Sequence, residues 1–535
     1  MSDAAGRISR RAALGMIAGA TVTTIGGCSS SPPTTPRPRR HEAPTTPPSP
    51  HPSNPTPAVT GPHARALQRK LDGTVYRPGQ QGYDAARLLF DRRFDGIAPA
   101  LVARVASEAD VAHCLDFAKH YSLPITVRSG GHSYIGASVG RGVVIDLRGL
   151  NGITFDAASG RAVVGAGAAL VDVYSRLAAN GVGIPAGSCP TVGVSGLTLG
   201  GGIGVVSRQR GLTCDSLTAA RIVTADGTVV TADAHHHNDL LWALRGGGGS
   251  FGVVTTLTFD TFPVGTLSHA FLKWPWSAAI EVVAAWQTWA PAAPPYLWSA
   301  CHVLATEDKS APPILSVAAV SSRSTGDLQQ HLGALTQLVP AAATTNFVTS
   351  ESWAATMLLE AGCSQLSVQQ CHVGDETAGG ALPRDAFVAG SDFFADQIPR
   401  AGITALVKAV KHRQADPRLG AGGASFDILG GAIDSVAEAA TAWAHRGALF
   451  GAQYTASWGE AHTNRPLARN QHSLAAIHNT IRRYARGDAY QNYADDTLAD
   501  AQQAYYGANL AKLIDVRRTY DPSGTFTQPQ GVPLS

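Results

Sequence analysis

Arg128-Ser129-Gly130-Gly131-His132-Ser133-Tyr134 is the stretch whose reading decides the fold, together with Gly187-Ser188-Cys189-Pro190-Thr191-Val192-Gly193-Val194-Ser195-Gly196 further along the chain. The second loop runs on into Leu199-Gly200-Gly201-Gly202 and then Gly204. Glycine reaches positive φ and lets backbone N–H groups approach an anion closely, so both loops predict a cradle for a pyrophosphate. His132 adds an imidazole to the first loop and Cys189 a thiol to the second, and each is a nucleophile able to bond to an electrophilic ring. Taken singly, the residues have plainer readings: a loop histidine bonded to backbone, and a buried apolar thiol. A dinucleotide-binding βαβ unit is disfavoured, because no G-x-G-x-x-G opens a helix after a strand with an acid about 20 residues on.

Outward from these loops the periodicity is mixed. Glu108 to Ala118 has helical spacing with Val111, Leu115 and Ala118 on one face, and Leu170 to Ala179 reads as a second helix. Pro124 to Val127, Val143 to Leu147 and Ala162 to Gly165 read as short strands, and Ala220 to Val230 as a hairpin closing at Asp226-Gly227. Leu240 to Arg245 leads into a third glycine loop, Gly246 to Gly249, followed by Phe251-Gly252-Val253-Val254. Near Phe262-Pro263 the character shifts to alternating β-rich and Ala-rich segments. A chain of 535 residues is too long for one ordinary core. The division expected is a first lobe over 64–265, a second domain over 266–481, and a terminal segment over 482–535.

Composition narrows the function class. Hydrophobic content of 44% with 15% charged residues describes a globular protein, and a net charge of +3 without a basic block argues against nucleic acid as a partner. Seven cysteines are too few and too scattered for a disulfide scaffold, although Cys363 and Cys371 could pair after export. His235-His236-His237 is not a metal site by pattern, since consecutive side chains cannot all face one ion, so no metal is expected.

The first residues read as targeting rather than structure. Ser9-Arg10-Arg11 before the apolar run Ala12 to Ile25 matches a twin-arginine export signal, and Ile25-Gly26-Gly27-Cys28 resembles a lipobox in which Cys28 would be lipidated. Residues 1–28 are therefore read as signal and 29–63, rich in Pro, Ser and Thr, as a tether holding the body off a membrane surface. The expected location is the cell envelope, lipid-anchored or secreted.

The three glycine loops, in this order, resemble the flavin domain of the berberine-bridge-enzyme-like family, within the larger group sharing the vanillyl-alcohol-oxidase, or PCMH-type, FAD-binding fold. Arg210-Gly211-Leu212 with Asp215, and the C-terminal Tyr490-Gln491-Asn492-Tyr493 and Tyr505-Tyr506-Gly507-Ala508-Asn509, extend the resemblance across nearly the whole chain after the tether. It implies an α+β, two-lobed protein: a flavin lobe, a substrate domain of antiparallel sheet plus helices, and a C-terminal segment returning to the flavin lobe. It implies FAD bonded twice, through His132 and Cys189. Arg128, Ser129, Gly130, Gly131 and Ser133 would cradle the pyrophosphate. Backbone of Gly193, Gly196, Gly200, Gly201, Gly202 and Gly204 would assist, with Val254 beside the cofactor.

The same resemblance sets expectations for chemistry. Val192, third after the flavin cysteine, resembles the oxidases rather than the dehydrogenases, which implies O₂ as acceptor and hydrogen peroxide as product. Tyr490 is the expected base, Gln453 the strand residue supporting it, Tyr493 a further catalytic aromatic, and Asn492 a backbone-bonded brace. A tyrosine of ordinary pKa ~10 needs a polar neighbour to act near neutrality. Some relatives carry Glu as the base at the strand position, and Gln453 there favours oxidation of an alcohol or a carbohydrate-like carbinol over C–H chemistry. Two alternatives stand beside this reading: a dehydrogenase using another electron acceptor, and a surface lipoprotein that binds a ligand without turnover.

Overall fold

The computed structural model describes residues 59–374, 377–458 and 464–535. The export signal, the Cys28 lipidation site and nearly all of the tether lie outside the described residues. The first described element is the helix Gly61–Gln68.

Four strands form the first sheet: β1 (Thr74–Tyr76), β2 (Leu101–Arg104), β3 (Ile125–Arg128) and β4 (Val143–Asp146), in the order β1-β2-β4-β3. β2, β4 and β3 run parallel because the helix Glu108–His120 supplies the crossover. Ser107 caps that helix by accepting the Asp110 N–H, and Val111, Cys114, Leu115 and Ala118 bury one stripe. The first glycine loop starts where β3 ends.

β5 (Ile153–Asp156), β6 (Arg161–Gly165), β8 (Leu217–Val223), β9 (Val229–Asp233) and β10 (Val253–Asp260) make an antiparallel sheet ordered β5-β6-β10-β8-β9. The hairpin β8–β9 closes at Gly227 with φ +83, as the Asp-Gly pair requires. A small ribbon, β7 (Val182–Gly183) with β11 (Phe262–Pro263), ends this lobe.

β12 (Thr266–Lys273), β13 (Leu297–Ala305), β14 (Ile314–Ser321), β15 (Thr345–Ser352), β16 (Ala386–Phe394), β17 (Gly422–Ile428) and β18 (Phe450–Trp458) form one antiparallel sheet ordered β15-β12-β14-β13-β17-β18-β16. Helices Ala279–Ala292, Arg400–Ala415 and Asn464–His478 cover one face. Period-two alternation sends the other side chains toward the flavin lobe. Register aligns Ala300 with Asp427, His302 with Ser425, and Ser425 with Gln453 on that face. The C-terminal segment then returns: helix Leu510–Tyr520 packs on helix Asn238–Leu244, and Tyr520 donates to Asp239 at 3.0 Å. The expected α+β architecture with a returning terminal segment is the one observed.

Cys363 and Cys371 are joined as a disulfide, with Cα atoms 5.9 Å apart. His235, His236 and His237 are exposed, with His236 against Asp233, and no group of three potential metal ligands occurs among the described residues. No described helix is long and apolar enough to cross a membrane.

Candidate active site

The two glycine loops press against each other. A Cβ on Gly130 would sit 2.2 Å from the Gly193 nitrogen, so the contact admits only glycine there. Gly131, at φ +75, then turns the chain so that the following residues face inward. The backbone N–H groups of Gly130, Gly131, His132 and Ser133 bond to no other described residue. Polar groups of this kind require a partner when enclosed. Beside them lies a cavity of about 340 Å³, walled by both loops, the sheet face of β13, β14 and β17, and the C-terminal segment.

The residues present fit FAD. The orphan N–H groups suit a pyrophosphate, and Gly196 opens into free space beside them. His132 and Cys189 both line the cavity, as do Val192, Gly193, Gly200, Gly204, Val254 and Asn492. His132 stacks on Phe90 with ring centres 4.2 Å apart, and its Nε2 pairs with the Thr191 hydroxyl at 2.8 Å. Burial holds its pKa down to about 3, so the imidazole is neutral and its lone pair is available at physiological pH. Cys189 stands apart from the disulfide.

Several expected roles are corrected by the coordinates. Arg128 does not reach the pyrophosphate cradle. It faces Asp146 in the parallel register, pairs with it at 3.0 Å, and donates to the carbonyls of Ala86 and Leu88. Asp146 is fully buried and also meets Arg104 and Arg148. Burial alone would raise its pKa, but these guanidiniums hold the carboxyl far below the usual range.

Gly201 and Gly202 do not line the cavity either. A side chain on Gly201 would strike Trp443, and one on Gly202 would strike Thr213, so both glycines serve close packing. Gln453 supports Tyr134 rather than Tyr490, donating to its hydroxyl at 3.0 Å. Asn492 braces backbone as expected, donating to the Leu197 carbonyl at 2.9 Å, and also donates to Tyr490.

Tyr490 is buried and lines the cavity. Its hydroxyl oxygen accepts the Gly202 N–H at 2.8 Å, the Asn492 amide at 3.0 Å and the Ile203 N–H at 3.3 Å. These donors favour the anion, yet burial outweighs them and pushes the phenol up to about 12. Tyr493 packs edge-on against Tyr490 and parallel to Tyr134. Burial, and then the Asp427 carboxyl, raise it well above the ordinary value.

Sequence reasoning missed two carboxyl groups. Asp427 on β17 and Glu360, at the end of helix Trp353–Glu360, line the cavity. Burial raises Asp427 to about 7, and burial with the nearby Asp427 charge raises Glu360 to about 7. His302 and Trp298 share this wall, and burial holds His302 down to about 4. Alternation in Ala424-Ser425-Phe426-Asp427-Ile428 is the signal that could have placed Asp427 with Ser425 on one face. Glu360 has no comparable signal, because only tertiary packing brings its helix to the cavity.

Comparison with known proteins agrees with this geometry. The FAD binding domain family matches residues 99–233, and the berberine and berberine-like family matches residues 489–533. An uncharacterized FAD-linked oxidoreductase of Bacillus subtilis, YvdP, is 30% identical over 476 residues, covering 87% of this chain and 99% of that protein. BBE-like 1 of Physcomitrella patens is 28% identical, with a TM-score of 0.80 over 88% of this chain and 99% of that one. A chitooligosaccharide oxidase shares the fold at 24% identity and TM-score 0.77, over 88% of this chain and 99% of that one. The chain is a member of the berberine-bridge-enzyme-like family and a FAD-dependent oxidoreductase.

Proposed function

We propose that this protein oxidises an alcohol or sugar-type carbinol, with O₂ as the acceptor and hydrogen peroxide as product. Bound FAD supplies the hydride acceptor and returns the electrons to oxygen. The observation that carries the reading is the pairing of a cofactor cradle with Asp427 in one cavity.

Loss of hydride from a carbinol carbon requires loss of the hydroxyl proton, and a base works best with a pKa near the working pH. Asp427, at about 7, meets that condition, whereas Tyr490 at about 12 does not. Asp427 takes the proton. Tyr490, whose oxygen already accepts three N–H bonds, keeps its own proton to donate and so orients the substrate oxygen. Tyr493 and Tyr134 stack as a wall that excludes water from the reacting atoms.

His132 and Cys189 attach the cofactor covalently. With Nε2 held by Thr191, His132 presents Nδ1 as the attacking nitrogen. Val192 lines the cavity, and a small side chain third after Cys189 supports the oxidase reading over a dehydrogenase with another acceptor. We place the protein outside the cytoplasm, exported by the twin-arginine route.

The test is to mix the yellow holoenzyme anaerobically with a panel of sugars and alcohols, then admit air. Bleaching by a carbinol, followed by rapid return of colour with peroxide release, supports the reading. Bleaching that persists in air but reverses with a quinone or dye replaces the oxidase with a dehydrogenase. A flavin that no carbinol bleaches contradicts the reaction itself.

A further inference from the structure

Glu360 is only 8% exposed, and its carboxyl has neither a hydrogen-bond donor nor a cation beside it among the described residues. Buried carboxyls are ordinarily paired. Among the described residues its one charged neighbour is another carboxyl, Asp427, which likewise has no hydrogen-bond donor or cation beside it. Among the described residues lining the cavity there is no lysine or arginine. The two histidines there, His132 and His302, are neutral at physiological pH because burial suppresses their protonation.

A wall with two neighbouring carboxyls and no positive counter-charge among the described residues is incomplete without its ligand. The partner that completes it brings positive charge to Glu360. A neutral polyol does not, because its hydroxyls leave the charge of the two carboxylates uncompensated. A protonated amine does, with three N–H donors for the carboxylate oxygens.

We propose that the substrate carries a basic amino group, seated as an ammonium on Glu360, with its carbinol directed at Asp427: an amino sugar or amino alcohol rather than a neutral sugar. This rests on the carbinol-oxidation reading given above and narrows its substrate class. Glu360 is then the specificity-determining residue. The ammonium also keeps Asp427 ionised while it serves as base, because the positive charge offsets the like charge between the two carboxyls.

Three disaccharides on one β-linked pyranose scaffold separate the charge from everything else: fully deacetylated chitobiose, cellobiose and diacetylchitobiose. Binding to the holoenzyme is read by perturbation of the flavin spectrum and by calorimetry, and reduction by anaerobic bleaching. The expected result is tighter binding of the free amine than of cellobiose by at least about tenfold, the scale of a hydrogen bond between charged groups. That preference collapses in Glu360→Gln, a variant of unchanged size.

Equal binding and bleaching by all three sugars overturns the amine preference and leaves carbinol oxidation standing. Amine binding that depends on Glu360 but never bleaches the flavin keeps the ammonium seat and overturns the oxidation. If none of the three sugars binds, the ammonium seat is overturned. The comparison in the unmodified protein decides the preference even if Glu360→Gln fails to fold.

Discussion

Gln453 Nε2 donates to the hydroxyl of Tyr134 at 3.0 Å, tying β18 of the substrate sheet to the end of the first glycine loop. One hydrogen bond thus links the wall on which substrate lies to the segment carrying His132. Gln453→Leu leaves that contact unmade between buried groups, which costs about 1–3 kcal/mol. Chemical denaturation should show a loss of that size, together with slower flavin reduction as Tyr134 loses its position. The shape of the pH profile should not change, since neither residue is the proton acceptor.

Asp427→Asn tests the base. Removing a general base typically lowers the chemical step by 10²–10⁴-fold, on the order seen for positioned side chains. The rate of flavin reduction at limiting substrate, which reports the unliganded protein, should rise as pH increases through about 7, because Asp427 must be deprotonated to accept the hydroxyl proton. The variant should lose both the rate and that limb. A Tyr490→Phe variant that removed the limb instead, with Asp427→Asn retaining it, would transfer the role to the tyrosine.

Glu360 makes a prediction about stability. Its carboxyl titrates near 4.5 when unfolded and about 7 when folded, so between these values the folded state holds a proton that the unfolded chain has lost. Its stabilising contribution is fully present below about 4.5 and is lost as pH rises through about 7. The melting temperature of the unliganded protein should therefore carry a falling component across this window, and Glu360→Gln should reduce it, leaving the share that Asp427 contributes. Unchanged pH dependence in the variant would mean that Glu360 is ionised in the folded protein throughout.

Asp146→Asn separates structure from cofactor binding. Asp146 neutralises Arg128 in the buried end of the parallel sheet, and breaking such a pair from one side costs about 3–5 kcal/mol. Denaturant midpoints should fall accordingly, while FAD content per folded molecule stays the same. Loss of cofactor from a fully stable variant would restore Arg128 to the pyrophosphate.

Arg128 shows why some of the site was legible and some was not. Its loop could be read from the glycines, whose conformational demands are local: Gly130 admits no Cβ and Gly131 sits at positive φ. The helix Glu108–His120 and the Asp-Gly hairpin were legible for the same reason, since spacing and turn chemistry act over a few residues. The direction of the Arg128 side chain depends on Asp146, which arrives through parallel strand pairing and has no local signature. Gln453 is a like case: its strand was recognisable, but its partner came from a loop more than three hundred residues away. Glu360 reaches the cavity because helix Trp353–Glu360 packs against helix Leu170–Ala178 and against β12 and β15.

His132 and Cys189 are tested most directly as attachment points by the intact mass of the denatured protein. The unmodified protein should carry the mass of one FAD, His132→Ala and Cys189→Ala should each retain it through the remaining bond, and the double variant should lose it. An unmodified mass, with yellow colour released on denaturation, would contradict the covalent roles of His132 and Cys189.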